Sequence, residues 1–367
     1  MIKIWKSLPF PKYLVILVPT VAVLHFGHYT TPAVEFALSA GGILGLVIII
    51  GMATEEVAIR LGDMWGGLLN ATFGNVTELI IALFALGKGS YEIVRASITG
   101  SILGNMLLLL GIAMFAGGIK FKTQKFSRTG AAANIQMLAV CLVALVLPSV
   151  TLLFHELDPT LPAELAPAMA ENVTLAVAIL LLVVYFLSLL FSLWTHHYLF
   201  RSDESAHSEE PKWPVAGAVA VLFGTVALVA LTSEIFVDSL DRMVHESKVP
   251  ISELFLGVVV VAVVGNAAEG SVAVVAALKN KMELAFQVAM SSAIQIALLV
   301  TPVLVIASFI FTDQPMLLAF NPFEILALWA GVLIAGYALQ DGESNWFEGA
   351  VMVVVYLLFA IVFWFHP

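Results

Sequence analysis

The chain has 367 residues and a formal net charge of −10; 11% of its residues are charged and 61% are hydrophobic, with a mean hydropathy of +1.02. A soluble domain carries about 25% charged residues. Too little polar surface is left to coat a water-soluble enzyme, a disordered chain would not be this apolar, and an acidic chain lacks the basic face that a nucleic-acid partner needs. What remains is an all-α polytopic membrane protein, and its single cysteine, Cys141 in an apolar run, excludes an internal disulfide and a Cys-rich metal site.

A spanning helix needs about 20 mostly apolar residues. Cutting the apolar runs at charge or Pro/Gly clusters predicts eleven spans, near 13–27, 33–60, 64–86, 91–116, 129–154, 170–199, 213–243, 250–277, 281–310, 321–340 and 344–366. The first follows Lys3, Lys6 and Lys12, as a signal peptide would. It ends in Leu24-His25-Phe26-Gly27-His28 without a small-x-small cleavage pattern, so it reads as a retained helix.

Basic residues sort the loops. With the N-terminus inside, the inner segments hold twelve: Lys3, Lys6, Lys12, Arg60, Lys120, Lys122, Lys125, Arg128, Arg201, Lys212, Lys279 and Lys281. The outer side keeps four: Lys88, Arg95, Arg242 and Lys248. This predicts a cytoplasmic N-terminus and, with eleven spans, an outer C-terminus. The outer loop 155–171 fits, with Glu156, Asp158, Glu164 and Glu171 and no Lys or Arg. The compact length and short acidic linker point to a prokaryotic plasma membrane.

The longest polar stretch, 201–212, is acidic and separates the sixth and seventh spans. Either side of it the sequence repeats. Gly74-Asn75-Val76-Thr77-Glu78 recurs as Gly265-Asn266-Ala267-Ala268-Glu269, an offset of 191. Ala53-Thr54-Glu55-Glu56-Val57 resembles Leu231-Thr232-Ser233-Glu234-Ile235, and Ser101 and Asn105 match Ser291 and Gln295 at an offset of 190. The predicted organisation is an extra N-terminal helix (1–30), a first five-helix repeat (31–200), the polar linker (201–212) and a second five-helix repeat (213–367). Five is odd, so the second repeat enters the membrane from the opposite side. Inverted repeats of this kind place binding sites near the midplane.

Glu78 and Glu269 fall inside spans three and eight, where a charge costs about 2.5–3.5 kcal/mol on insertion scales. Asn75 and Asn266 each precede a glutamate by three residues and share its helix face. A carboxylate plus an amide carbonyl on each face is a hard-oxygen donor set, suited to Ca²⁺. Gly74 and Gly265 permit close backbone approach or a helix break that frees carbonyl ligands. Thr99, Ser101, Asn105, Ser291, Ser292 and Gln295 are candidates to line the same cavity, or simply to pack helices. Glu55 and Glu56 at the inner end of span two, and Glu234 and Asp238 at the outer end of span seven, are candidates for the two mouths of a pathway, or ordinary helix-end charges.

Gly-Asn-Val-Thr-Glu and Gly-Asn-Ala-Ala-Glu resemble the paired signatures of Ca²⁺/H⁺ antiporters, the CAX family of the cation/Ca²⁺ exchanger superfamily. The resemblance covers almost the whole chain. It includes the acidic patch at 54–56, Gly-Ser-Ile-Leu-Gly-Asn at 100–105, and Asp341-Gly-Glu-Ser-Asn-Trp-Phe-Glu-Gly349. It implies an extra helix plus two inverted five-helix repeats, and an alternating-access transporter, not an enzyme, with no cofactor. Glu78 and Glu269 would bind transported Ca²⁺ and protons in turn. Two other readings stay open. A Na⁺/Ca²⁺ exchanger of the same superfamily would keep the fold, although Ala267-Ala268 offer no hydroxyls for Na⁺. An intramembrane protease would use Glu55-Glu56-x-x-x-Arg60, but no accompanying His motif follows.

Overall fold

The computed structural model describes residues 10–157, 165–195, 211–246 and 252–366. The centre of the outer acidic loop and most of the 201–212 linker therefore lie outside the described residues. Helices account for nearly all the rest. They are α1 (Leu17–Phe26), preceded by a 3-10 turn (Phe10–Ile16), α2 (Pro32–Leu61) and α3 (Leu68–Gly74), α4 (Val76–Gly87), α5 (Tyr91–Phe121), α6 (Arg128–Leu157) and α7 (Leu165–Leu190). The second half holds α8 (Val215–Glu246), α9 (Glu253–Gly265), α10 (Ala267–Leu278), α11 (Met282–Phe311), α12 (Pro322–Ala338) and α13 (Trp346–Phe365).

Among the described residues, seven helices are long and apolar enough to cross a membrane. Two bent pairs, α3–α4 and α9–α10, and two shorter apolar helices, Tyr13–Phe26 and α12, are also present. If each bent pair crosses as one span and both short helices cross, the count is eleven, compatible with the sequence. The chain is an all-α, multi-pass integral membrane protein.

The chain doubles back between α2 and α3. A methyl group placed on Gly66 would lie 2.6 Å from the Ala58 carbonyl oxygen, eight residues away; in a straight helix these positions are about 12 Å apart along the axis. Two spans are thus joined by a tight reversal between α2 and α3.

The two halves are inverted. α2 and α8 are equivalent elements and pack along their length, antiparallel to one another. Glu35, at the start of α2, pairs with Arg242 near the end of α8. Glu56, near the end of α2, accepts from the backbone N–H groups of Lys212 (2.9 Å) and Trp213 (3.0 Å), just before α8 begins. Equivalent elements running in opposite directions require a two-fold axis in the membrane plane.

A short antiparallel ladder pairs β1 (Thr123–Lys125) with β2 (Glu343–Asn345) and ties the α5–α6 connection to the α12–α13 connection. The Asp341–Gly349 segment owes its composition to this job. Gly342 supplies a positive φ of 77°. Asn345 then caps α13, accepting from the N–H groups of Phe347 (3.0 Å) and Glu348 (3.1 Å), while Glu348 accepts from the Asn345 N–H.

Candidate cation site

The two Gly-Asn-x-x-Glu segments do not sit within continuous helices. Each is a break. α3 ends at Gly74, Asn75 leaves helical geometry (φ −105°, ψ 17°), and α4 departs at 43°. α9 ends at Gly265, Asn266 leaves it (φ −82°, ψ 9°), and α10 departs at 59°. In the sequence each Asn and Glu fall on one helix face, and Gly74 and Gly265 permit either close approach or a break; the break is what forms. The Asn forms the joint, and the Glu stands in the first turn of the helix beyond it. A carboxylate there meets the positive end of the helix dipole, and the preceding half-helix turns its last carbonyls toward the break.

The breaks cross each other. A methyl group on Gly265 would sit 3.0 Å from Glu78 Cγ and 3.1 Å from Glu78 Oε1, and one on Gly74 would sit 4.0 Å from Glu269 Oε1. Gly265 therefore makes room for the glutamate of the other half, while Gly74 lies beside Glu269 without crowding it.

The site is made of buried oxygen atoms with too few donors. Asn75 is 2% exposed, Asn266 1% and Glu78 8%. Both Glu78 oxygens, Glu269 Oε2, Asn266 Oδ1 and Asn105 Oδ1 are buried without a hydrogen-bond partner. An unpaired buried acceptor costs about 1–3 kcal/mol, more for a charged group. Five such atoms, four of them on the crossing motifs, suit a hard cation or protons better than they suit an apolar core. Among the described residues no group of three His, Cys, Asp or Glu side chains gathers. The candidate donor set is two carboxylates with carbonyl and amide oxygens beside them.

The flanking polar residues divide. Asn75 donates from Nδ2 to Gln295 Oε1 (2.6 Å) and accepts at Oδ1 from Ser292 Oγ (3.0 Å); Asn105 Nδ2 donates to Ser292 Oγ (2.9 Å). Ser291, Ser292 and Gln295 also line a cavity of about 670 Å³, together with Gly74, Asn75, Glu269 and, toward the ends of α2 and α3, Glu55 and Asn70. Asn266 has only a long contact, Nδ2 to the Ser101 carbonyl at 3.5 Å. Gly104 packs beside it: a methyl group there would lie 3.4 Å from Asn266 Nδ2. Gln295 on Asn75 and Gly104 on Asn266 keep the offset of 191, so the apparent slip to 190, which matched Asn105 with Gln295, is a sequence coincidence. A π-helical turn follows in both halves, at Gly104–Leu109 and Ile296–Val300.

Thr99 faces elsewhere, donating to Glu324 Oε1 (2.9 Å) at the start of α12. The acidic candidates at the mouths also separate. Glu55 is exposed on the cavity lining. Glu56 is buried and anchors the chain at 212–213, with Arg60 beside it at 3.6 Å and bonded to the Trp213 carbonyl. The Glu-x-x-x-Arg spacing is an i,i+4 ion pair that ties α2 to the chain at 212–213. Burial also shifts the repeat there by one residue: buried Thr54 matches buried Ser233, and exposed Glu55 matches exposed Glu234.

Asp238 belongs to a network that the sequence does not reveal. It pairs with Lys88 (2.7 Å) and Arg242 (2.9 Å), while Glu35 pairs with His25 (3.0 Å) and Arg242. This network joins α1, α2, α8 and the end of α4. It lies about 30 Å along α2 from Glu55, at the end opposite the cavity. The only hint in sequence is a set of isolated charges near span ends.

The comparisons with known proteins agree with this architecture. A model of the sodium/calcium exchanger protein family matches residues 32–194 and 217–365. The Ca²⁺/H⁺ antiporter of Aphanothece halophytica is 40% identical over 368 residues, covering 96% of each chain. The Ca²⁺/H⁺ antiporter ChaA of Bacillus subtilis (strain 168) is 41% identical over 335 residues, covering 90% of this chain and 92% of that one. The solved structure of native YfkE superposes with a TM-score of 0.82 at 37% identity, covering 98% of this chain and 100% of that one. The chain, with its two crossing broken helices and its matched halves, belongs to the sodium/calcium exchanger protein family.

Proposed function

We propose that this protein is a secondary transporter that exchanges Ca²⁺ for H⁺ by alternating access, with Glu78 and Glu269 binding Ca²⁺ and protons in turn. The observation that carries this reading is the crossing of the two breaks, which gathers two carboxylates and several unpaired buried oxygens at one point. Relatives named as Ca²⁺/H⁺ antiporters over nearly the whole chain support it.

The chemistry follows from burial. An ionised carboxylate inside a membrane protein is expensive without a partner, so in the absence of Ca²⁺ the site holds protons. Ca²⁺ favours the ionised carboxylates and displaces those protons, because metal binding and deprotonation are linked. Asn75, Asn266 and the carbonyls of Gly74 and Gly265 complete the oxygen set, and Ser292, Gln295 and Asn105 hold Asn75 in place. One site, open to either side in turn, then couples the two gradients. Ala267 and Ala268 supply no side-chain oxygen for a Na⁺ cage beside Glu269, which favours protons as the counter-ion.

The orientation in this reading rests on the sorting of Lys and Arg. It puts the N-terminus in the cytoplasm and the C-terminus outside; the short acidic linker and compact length favour a prokaryotic plasma membrane. The 670 Å³ cavity beside Glu269 then opens inward, and the network of His25, Glu35, Asp238, Arg242 and Lys88 closes the outer side. The organisation is an extra helix and two repeats divided at the 201–212 linker.

The test uses reconstituted vesicles loaded with radiolabelled Ca²⁺. Acid outside should drive Ca²⁺ efflux without Na⁺, and a protonophore should suppress it. Efflux that requires a Na⁺ gradient and ignores pH would replace this reading with Na⁺/Ca²⁺ exchange.

A further inference from the structure

A second cavity, of about 510 Å³, lies between α6 and α12, away from the cation site. Its apolar end is lined by Ala139 and Trp329, and its polar end by Arg128 and Gln340. Small side chains keep it open: Ala132 stands on one wall and Gly336 on the other. The two helices are antiparallel here, since Arg128 starts α6 where α12 is ending. The polar end therefore lies where both helices meet the aqueous boundary. From Arg128 to Ala139 the groove runs about 16 Å, the depth of a good part of one acyl chain.

The charges around the polar end decide what fits. Lys120 is spent on the Leu278 carbonyl (2.8 Å) and Lys125 on Glu343 (3.2 Å). Asp341 Oδ1 accepts from the Glu343 N–H (3.0 Å). Arg128 is exposed and has no hydrogen bond or ion pair among the described residues, and the same holds for Lys122 in the adjoining turn. An unpaired guanidinium at the mouth of an apolar groove between membrane helices matches a phosphate above a hydrocarbon chain.

We propose that this groove is a binding site for an anionic phospholipid, with one acyl chain between α6 and α12 and the headgroup phosphate on Arg128. The lipid fills a gap beside Trp329, which packs against the core on one side and is only partly covered. The proposal needs only a membrane-spanning chain and does not depend on which ions are exchanged.

The experiment is native mass spectrometry of the full chain, delipidated and then titrated with phosphatidylglycerol or phosphatidylcholine. The wild type should retain phosphatidylglycerol in preference. Arg128→Gln should cut that preference about fivefold, the usual weight of one basic residue near an anionic lipid. Gly336→Leu, or Ala132→Leu from the other wall, should fill the groove and remove the tightly held lipid whatever its headgroup. All three variants should keep the wild-type elution volume and ion exchange rate. Equal retention of the two lipids by the wild type, or phosphatidylglycerol retention unchanged in Arg128→Gln and in a groove-filling variant, would overturn the site. So would a photoreactive side chain at position 132 that captures a second copy of the chain instead of lipid.

Discussion

The two Gly-Asn-x-x-Glu breaks are equivalent in sequence and opposite in condition. In the first half Asn75 is held at both ends of its carboxamide, by Gln295 and Ser292, and Glu78 is buried off the cavity lining. In the second half Asn266 has an unpaired Oδ1 and a single long contact, and Glu269 stands on the cavity lining. Part of this difference is conformational, since a cavity open on one side must treat inverted halves differently. Part is written in the chain. Gly104 occupies the place that Gln295 takes in the other half and has no side chain to hold Asn266. Under the proposed alternating access, a motion that exchanged the roles of the halves would not recreate the same bonds, and the two facing states would differ in energy.

The sharpest way to break the comparison is to neutralise either carboxylate. Glu78→Gln and Glu269→Gln should each abolish Ca²⁺ transport in vesicles while the protein still inserts and purifies. Gln keeps the shape but cannot balance Ca²⁺ or carry a proton. Near-normal transport by one of them would remove that half from the site.

The glycines test the crossing itself. Gly265→Ala sets a methyl group 3.0 Å from Glu78 Cγ, and Gly74→Ala sets one 4.0 Å from Glu269 Oε1. Overpacking costs about 1–3 kcal/mol. Transport by Gly265→Ala should therefore fall by about 5- to 150-fold, and transport by Gly74→Ala should stay close to wild type. Equal losses would mean that the glycines serve only the helix breaks.

The asparagines should separate stability from binding. Asn75→Ala strands Gln295 and Ser292 and should destabilise the purified protein by about 1–3 kcal/mol, read as a lower Tm. Asn266→Ala removes an oxygen that nothing else uses, so its Tm should hold while Ca²⁺ affinity weakens. The smallest effect belongs to the mouth. Glu55→Gln should slow Ca²⁺ loading modestly at low ionic strength, with the difference fading as salt screens the charge.

Much of this architecture is legible in the chain because a bilayer is a demanding solvent. Apolar runs mark the spans, and two glutamates at matched depths mark the candidate site. The breaks are harder to read: Gly-Asn inside an apolar run is compatible with a continuous helix until the bend at Asn75 or Asn266 is seen. Glu56 is misleading in sequence, because its partners, the N–H groups of 212 and 213, lie across the repeat boundary. The offset of 191 at Gln295 is hidden for a similar reason. Ser101 and Asn105 match Ser291 and Gln295 by type, while contacts pair Gln295 with Gly104, which has no side chain to compare. The network on Arg242 needs four separate elements to meet, and no local pattern announces it.

The central claim is that Ca²⁺ and protons compete for the two crossed carboxylates. Calorimetric titration of the purified protein with Ca²⁺, repeated in buffers of different ionisation enthalpy, counts the protons released as Ca²⁺ binds. The expected result is proton release by the wild type, with both binding and release lost in Glu78→Gln and Glu269→Gln. Ca²⁺ binding without proton release, or release that survives unchanged in both variants, would contradict it.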